Sequence, residues 1–455
     1  MQFDFSKIPL KNRAFSEKPM TFIDPEAKNF LATIIDVVAI ETGNRAAREH
    51  WQHKQLQNLL QHAAQESAFW RERIGTKKIK DICLSDLPIL ARNDVAKQVG
   101  TEGSLLPAGT IPTRKFATSG SSGTPVEFFV SDMNAHYNNV RSLAQYFMEG
   151  RDLTLNRTRF YRAPKPTKDG FSVEKTSNSL GPLSLFFKSG NTKNILQTNP
   201  NRDLLFKELA KDPIGYLIIQ PSLVEALFYD ADVSLLSEHG AKMLIPTDEE
   251  ADKDLRDKFS AAEIPVRAIY SSQEVGYIGV ECKDCPGSFH VAQSNVIIEI
   301  DDRESVVVGG KKLGRVLVTH LHSYGTPFVR YDIGDFATLS KVCGCGHDGP
   351  ALTNIYGRKK RLLKRGDGSV VPFSVTARSM LNIVRCDEYR IRQTGLSAIE
   401  VEIGGVGQLS VDQIASLKNL FKERAGDEFQ VQITAVQNID WGNDIKRLGF
   451  RSEIL

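Results

Sequence analysis

No apolar run long enough to cross a bilayer opens this chain of 455 residues. The longest run near its start, Phe30 to Ile40, is about eleven residues long with Asp36 inside it, against the ~20 that a spanning helix needs. Charge of one sign is not in surplus either: 58 Lys and Arg stand against 55 Asp and Glu, a formal net charge of +3. That balance excludes a chain whose main task is neutralising many phosphates, so neither nucleic acid nor a membrane is an expected partner. Cysteine is sparse, six in all, which excludes a disulfide scaffold. A basic and apolar leader is also missing from the first residues, and the compartment expected is the cytoplasm. Neither an internal repeat nor a low-complexity segment is present.

Apolar residues make up 41% and charged residues 25%, the balance of a soluble globular protein, and the length implies two or three domains. Arg45 to Ile74 repeats apolar residues at three- and four-residue intervals, which predicts an amphipathic helix, and Leu84 to Leu90 reads as a turn-rich connection into a further helix from Asp94. Between Leu204 and Tyr270 helical and strand patterns alternate, ending on a strand at Val266 to Tyr270, and this predicts parallel strands with crossover helices. After Gly276 the texture becomes a β meander, with strands at Asn295 to Ile300, Ser305 to Val308 and Arg315 to His320. Past a basic run at Arg358 to Arg361 comes a self-contained α+β pattern with strands at Tyr389, Ala398 and Phe429. Its helix opens with a Ser410/Gln413 capping box and closes at Gly426. The expected fold class is therefore α/β: a large N-terminal domain, residues 1–358, with parallel α/β sheets and a β-meander subdomain, plus a small α+β C-terminal domain, residues 359–455.

Four segments could carry chemistry. Thr118, Ser119, Gly120, Ser121, Ser122 and Gly123 form a small-residue loop whose hydroxyls and N–H groups could donate to phosphate oxygens. It lacks the Gly-Lys-Ser/Thr of a Walker loop and precedes a strand, so the P-loop reading fails; a plain Ser/Gly hairpin fits the composition equally. Tyr270, Ser271 and Glu274 fall at the carboxyl end of the predicted parallel strand, where ligands of open α/β sheets sit, and a carboxylate there suits Mg²⁺ on nucleotide phosphates. Asp335, in Arg330-Tyr331-Asp332-Ile333-Gly334-Asp335, could accept from ribose hydroxyls, and Arg358, in Gly357-Arg358-Lys359-Lys360-Arg361, could support them or touch phosphate. Taken singly, each of these is as compatible with surface charge.

Taken in order, LSDLPILARNDV, ATSGSSGTP, YSSQEVG, TPFVRYDIGDF and GRKKRLLKRGDGSVVPF resemble the adenylate-forming superfamily of acyl-CoA synthetases, adenylation domains and luciferases. The phenylacetate-CoA ligase and capsule-biosynthesis-ligase branch is the one they look most like. The resemblance implies ATP-dependent activation of a small-molecule carboxylate to an acyl-adenylate with release of pyrophosphate, followed by acyl transfer to a thiol, coenzyme A first among them. A carrier protein, an amine or a sugar could take the acyl group instead, and an inactive nucleotide-binding homologue is a further alternative. By the same resemblance Thr118 to Gly123 grip the β- and γ-phosphates, Tyr270 flanks the adenine with Ser271 beside it, Glu274 holds Mg²⁺, Asp335 binds the ribose and Arg358 supports it. Lys360 is the hinge about which a mobile small domain turns, Lys446, six residues before Ser452, is the catalytic lysine, and a homodimer is a common state of related ligases. The chain departs from the family pattern at Thr124, Ser271 and Asp248, and around Lys446.

Cys282, Cys285, Cys343 and Cys345 form two close pairs in sequence on either side of the meander, with His290 and His347 nearby. Thiolates and imidazole at such spacing suit tetrahedral Zn²⁺ that would staple the meander's ends, and free buried cysteines are the alternative. The resemblance points to Cys282, His290, Cys343 and Cys345 as ligands of a structural zinc, with Cys285 competing with His290.

Overall fold

A computed structural model describes residues 24–98, 105, 113–118, 126–162, 171–176, 178–197, 201–228, 232–247, 249–308, 310–357, 362–441 and 449–455. It opens on three helices, α1 (Pro25–Thr42), α2 (Arg45–Glu66) and α3 (Ala68–Ile74), and after two 3-10 turns continues into α4 (Arg92–Gln98). The single helix expected over Arg45 to Ile74 is two. Ser67 ends α2 through its N–H to Ala63 O, and its Oγ accepts from Trp70 N to cap α3. The break turns Trp70 inward, fully buried, where its Nε1 donates to Pro327 O at 3.2 Å.

A hairpin, β1 (Thr113–Ala117) and β2 (Glu127–Ser131), flanks the Ser/Gly segment and leads into α5 (Asp132–Met148), whose N-cap is Ser131. The next region alternates: β3 (Arg157–Arg162), β4 (Phe171–Thr176), β5 (Thr192–Gln197), α6 (Arg202–Leu209), β6 (Gly215–Ile219), α7 (Pro221–Phe228), α8 (Ser234–Glu238), β7 (Ala241–Pro246) and α9 (Lys253–Ala261). These strands form a five-stranded sheet in the order β4-β5-β3-β6-β7, parallel except for edge strand β4, as the alternation predicts. One face of the sheet packs Phe160, Leu217 and Leu244 against Leu205, Val224 and Phe259; the other carries Tyr216 and Ile245 against α1 and α5.

The strand expected at Val266 to Tyr270 is corrected. Val266 makes one parallel bridge to Leu244, and then the chain leaves that sheet for a second one. The second sheet has seven strands, all antiparallel: β8 (Ile269–Ser272), β9 (Gly276–Glu281), β10 (Ser288–Val291), β11 (Val296–Val308), β12 (Lys311–His320), β13 (Tyr331–Ser340) and β14 (Ala351–Tyr356). Their order is β11-β12-β13-β14-β10-β9-β8. The two strands expected over Asn295 to Val308 are one, β11, with its register shifted between Asp301 and Val306. Helices α2 and α3 seal this sheet with Leu59, Leu60 and Trp70 over Val316, Val318 and Tyr331, each such side chain worth roughly 1.5–3 kcal/mol of burial.

The smaller C-terminal domain has its own core, with Phe421 and Phe429 among its fully buried side chains. It comprises a small hairpin, β15 (Leu362–Lys364) and β16 (Val370–Pro372), α10 (Ala377–Leu381), β17 (Glu388–Gly395), β18 (Ala398–Gly404), α11 (Val411–Ala425), β19 (Gln430–Val436) and β20 (Phe450–Ser452). Both halves of the capping box form, Ser410 Oγ accepting from Gln413 N at 3.1 Å and Gln413 Oε1 from Ser410 N at 3.0 Å. The four strands run β19-β18-β17-β20. The domain meets the larger one where Leu362 and Leu455 join Val306, Val308 and Phe336, and where α10 touches α7. Arg358 and Lys360, and with them the boundary at residue 358, lie outside the described residues. No described helix is long and apolar enough to cross a membrane.

Candidate active site

The two sheets and the C-terminal domain enclose a cleft of about 1170 Å³. Thr118, Tyr270, Ser271, Glu274 and Asp335 all line it, joined by Phe450 and Arg451 of β20. The nucleotide-site residues read from sequence and present among the described residues thus converge on one cavity, although they come from three separate parts of the chain. Ser119, Gly120, Ser121, Ser122 and Gly123 lie outside the described residues, as do Thr124, Asp248, Arg358, Lys360 and Lys446.

Glu274 does not stand at the end of a parallel strand. It sits in the turn of the β8/β9 hairpin, because the chain changes sheets just before it. Gly276 closes that turn with φ +66°, a backbone conformation that favours glycine, and a Cβ there would also push on the Asn138 side chain, whose Oδ1 lies at 2.2 Å. Glu274 is nearly buried, its side chain 5% exposed, and two residues to which the sequence reading gave no role hold it. Arg92 Nη1 donates to Oε1 at 2.8 Å and Tyr331 Oη at 3.2 Å. Arg92 Nη2 also donates at 2.7 Å to Thr118 Oγ1, which accepts from Val126 N at 2.9 Å and so fixes the mouth of the Ser/Gly hairpin. Burial, with the Glu274 carboxylate beside it, drives the Tyr331 phenol well above its ordinary pKa, keeping it a neutral donor.

β13 distributes the Arg330–Asp335 segment. Arg330, at φ +51°, lies outside the cleft lining and pairs with Glu299 at 3.1 Å, while Asp332 accepts from Arg315 at 3.0 Å. Asp335 alone of the two aspartates reaches the cleft lining, where Tyr270 Oη donates to its Oδ2 at 2.7 Å. Burial and then Asp335 raise the Tyr270 pKa, so this phenol too stays protonated and presents its ring to the cavity. The Tyr270 ring packs edge-on to Phe289 with centroids 6.3 Å apart. A flat aromatic wall beside an anchored carboxylate can receive a base and its ribose hydroxyls. No spacing rule would have flagged Arg92, which is 182 residues from Glu274.

Outside the cleft, β10 pairs with β14 and brings the β9/β10 and β13/β14 turns together. The cysteines on either side of β11–β13 in sequence therefore meet at neighbouring strands of the sheet. Ligand atoms of Cys282, His290, Cys343 and Cys345 all lie within 4.8 Å of one another, with His290 Nε2 3.4 Å from Cys345 Sγ. Cys285 falls outside this four-residue set, although its thiol touches those of Cys343 and Cys282. Three sulfurs and one imidazole at this separation fit a tetrahedral zinc ion with no open position.

No family model matches the sequence, and no curated protein matches it. Solved structures do share its fold. A 2-hydroxyisobutyryl-CoA ligase in the postadenylation state, complexed with an acyl-adenylate, superimposes with a TM-score of 0.61 at 15% identity, covering 91% of each chain. The same ligase with its adenylate and CoA in the thioesterification state gives 0.54 at 15% identity over 98% of this chain and 96% of that one. O-succinylbenzoate coenzyme A synthetase from Bacillus subtilis, in complex with AMP, gives 0.50 at 13% identity, over 75% and 69%. The chain has the fold of the adenylate-forming ligases.

Proposed function

We propose that this protein is an ATP-dependent acid–thiol ligase: it activates a small carboxylate as an acyl-adenylate, releases pyrophosphate and passes the acyl group to a thiol, coenzyme A being the acceptor favoured. The single observation that carries this reading is the meeting of Thr118, Tyr270, Glu274 and Asp335 in one cleft of a fold shared with ligases whose structures hold adenylates and CoA. The branch assigned is that of the phenylacetate-CoA ligases and capsule-biosynthesis ligases, supported by the sequence segments and by the Cys/His cluster.

In this reading Tyr270 presents its ring to the adenine, Asp335 accepts from the ribose hydroxyls with Arg358 in support, and the Thr118 to Gly123 loop holds the outer phosphates. Glu274 is the residue to hold Mg²⁺, which when bound offsets charge on the leaving pyrophosphate. Arg92 and Tyr331 orient Glu274 through their hydrogen bonds to its Oε1. Lys446 places the carboxylate oxygen against the α-phosphorus, where attack forms the mixed anhydride and the phosphorus–oxygen bond to pyrophosphate breaks. The small domain then turns about Lys360, and the thiolate displaces AMP from the acyl carbon. Cys282, His290, Cys343 and Cys345 hold a structural zinc away from these events.

Separate assays of the two half-reactions test the scheme. Lys446→Ala lowers adenylate formation far more than thiol transfer from preformed adenylate, and Lys360→Pro does the opposite. Equal losses in both halves for both variants would contradict the assigned roles. Offering CoA, a carrier protein and a simple amine to preformed adenylate identifies the acceptor.

A further inference from the structure

β3 sends Thr158 and Phe160 into the sheet's outer core and turns Arg157, Arg159 and Tyr161 to the opposite face, toward the cleft. The parallel register sets Arg159 beside Ile218, itself paired with Ile245, and all three line the cavity. Arg157, two residues earlier on the same face, lies beside Tyr216 and also lines the cavity. Arg151, in the turn after α5, reaches the same wall: its guanidinium lies 4.6 Å from the Tyr146 ring, and that of Arg157 lies 5.2 Å from the same ring.

Three guanidiniums therefore crowd one wall, and the described residues provide little to neutralise them. Glu149 pairs with Arg151 and is also bonded by Gln145 at 2.8 Å. Arg157 donates to Ser179 O at 3.4 Å. Arg159 makes no hydrogen bond or ion pair to a described residue, and its Nε, the Nε of Arg157 and Nη2 of Arg151 are buried without hydrogen-bond partners. Burial holds the Arg157 pKa below its usual value; Tyr146 opposes this, and Arg159 and Arg151 add to the lowering. The acidic lining residues are engaged elsewhere: Glu249 with Ser222, Glu274 with Arg92, Asp335 with Tyr270, while Glu250 faces Arg256.

Arginine stays protonated at every pH a protein survives, so this wall cannot relieve itself by losing protons. An apolar acyl chain against it would leave buried donors unpaired, whereas a carboxylate or phosphate matches the guanidinium fork bidentately. We infer that the acid activated in this cleft carries a second anionic group, a carboxylate or a phosphate, held by Arg157 and Arg159 while the reacting carboxylate faces Glu274. The inference rests on the ligase reading above and assigns its substrate class.

The test compares pyrophosphate exchange for short dicarboxylates, their monomethyl esters, phosphomonoesters of short hydroxy acids, and phenylacetate. The diacid or the phospho-acid, whichever is the better, is expected to exceed its ester or unphosphorylated counterpart at least ~10-fold in kcat/KM, and Arg159→Gln to bring that ratio close to one. Equal use of ester and diacid, preference for phenylacetate, or an unchanged ratio in Arg159→Gln would overturn the inference while leaving the ligase reading intact. A variant that raises KM for CoA and keeps the diacid preference would assign the arginines to the thiol substrate, and overturn it likewise. Should every acid fail in exchange, the ligase reading falls instead, and calorimetric titration of the same acids decides the pocket. Dianion binding lost in Arg159→Gln supports the inference, and no dianion binding refutes it.

Discussion

Arg92 Nη1 lies 2.8 Å from Glu274 Oε1, and the same guanidinium reaches Thr118 Oγ1 at 2.7 Å, so one side chain ties the candidate metal-holding carboxylate to the root of the candidate phosphate loop. Removing it strands a carboxylate that is 5% exposed. Arg92→Ala is expected to lower stability by about 2–3 kcal/mol in urea unfolding, below the ~3–5 of a fully buried pair because Arg92 keeps part of its surface in water. Arg92→Lys recovers part of this, and Glu274→Gln abolishes nucleotide turnover while unfolding near the parent midpoint. An unchanged urea midpoint for Arg92→Ala would show that the pair contributes nothing.

Tyr270 and Asp335 make the second tie across the cleft. Tyr270→Phe keeps the ring and removes the 2.7 Å hydrogen bond to a carboxylate, an interaction worth about 1.5–3 kcal/mol. Nucleotide affinity is expected to fall roughly 10-fold, about 1.4 kcal/mol, in calorimetric titration, because the ring contact survives and the carboxylate loses its orientation. Tyr270→Ala should lose more. Equal affinity for the parent and Tyr270→Phe would place the base elsewhere.

The cysteine cluster predicts about one zinc per chain in protein purified without chelator, by elemental analysis. Cys343→Ser or His290→Ala removes it and lowers the unfolding temperature, whereas Cys285→Ser retains it because Cys285 lies outside the four-residue set. Metal loss in Cys285→Ser with retention in His290→Ala would reverse that assignment.

Much of this architecture was legible because its signals are local. The alternation from Leu204 to Pro246 specifies crossover helices between parallel strands, and Ser410 with Gln413 specifies a helix start, since neither needs a distant partner. What sequence could not show depends on long-range contacts. Ser67 lies within an unbroken apolar periodicity, and the reason it ends a helix is the pocket that receives Trp70 beside Pro327. Val266 to Tyr270 has the composition of a buried strand in either sheet, and only the bridge to Leu244 and the β8/β9 hairpin divide it between two. The site motifs were recognisable by resemblance, but Arg92 and Tyr331, which position Glu274, carried no local mark, and neither did the arginines of β3.

Two histidines outside the cleft make stability depend on pH. Burial, with His322 nearby, pushes the His320 pKa down to about 3, and burial pushes His322 down to about 4 despite its bond to Ser294 O at 2.9 Å. Both are neutral in the folded protein and titrate near 6.5 once unfolded, so their contribution is complete above pH ~6.5 and is lost as pH falls toward 4 and then 3. Urea unfolding at pH 5 should show stability reduced from pH 7, at up to about 1.4 kcal/mol per pH unit for each imidazole. The double variant His320→Asn, His322→Gln should have a flatter profile, and an equally steep one would exclude these residues as the cause.

In the proposed function a carboxylate and ATP react in this cleft. Exchange of labelled pyrophosphate into ATP by the full chain, with magnesium and a panel of acids, measures that reaction without needing the acceptor. Exchange is expected to require both magnesium and one class of acid and to be lost in Glu274→Gln. Tight magnesium-ATP binding with no exchange for any acid would contradict it.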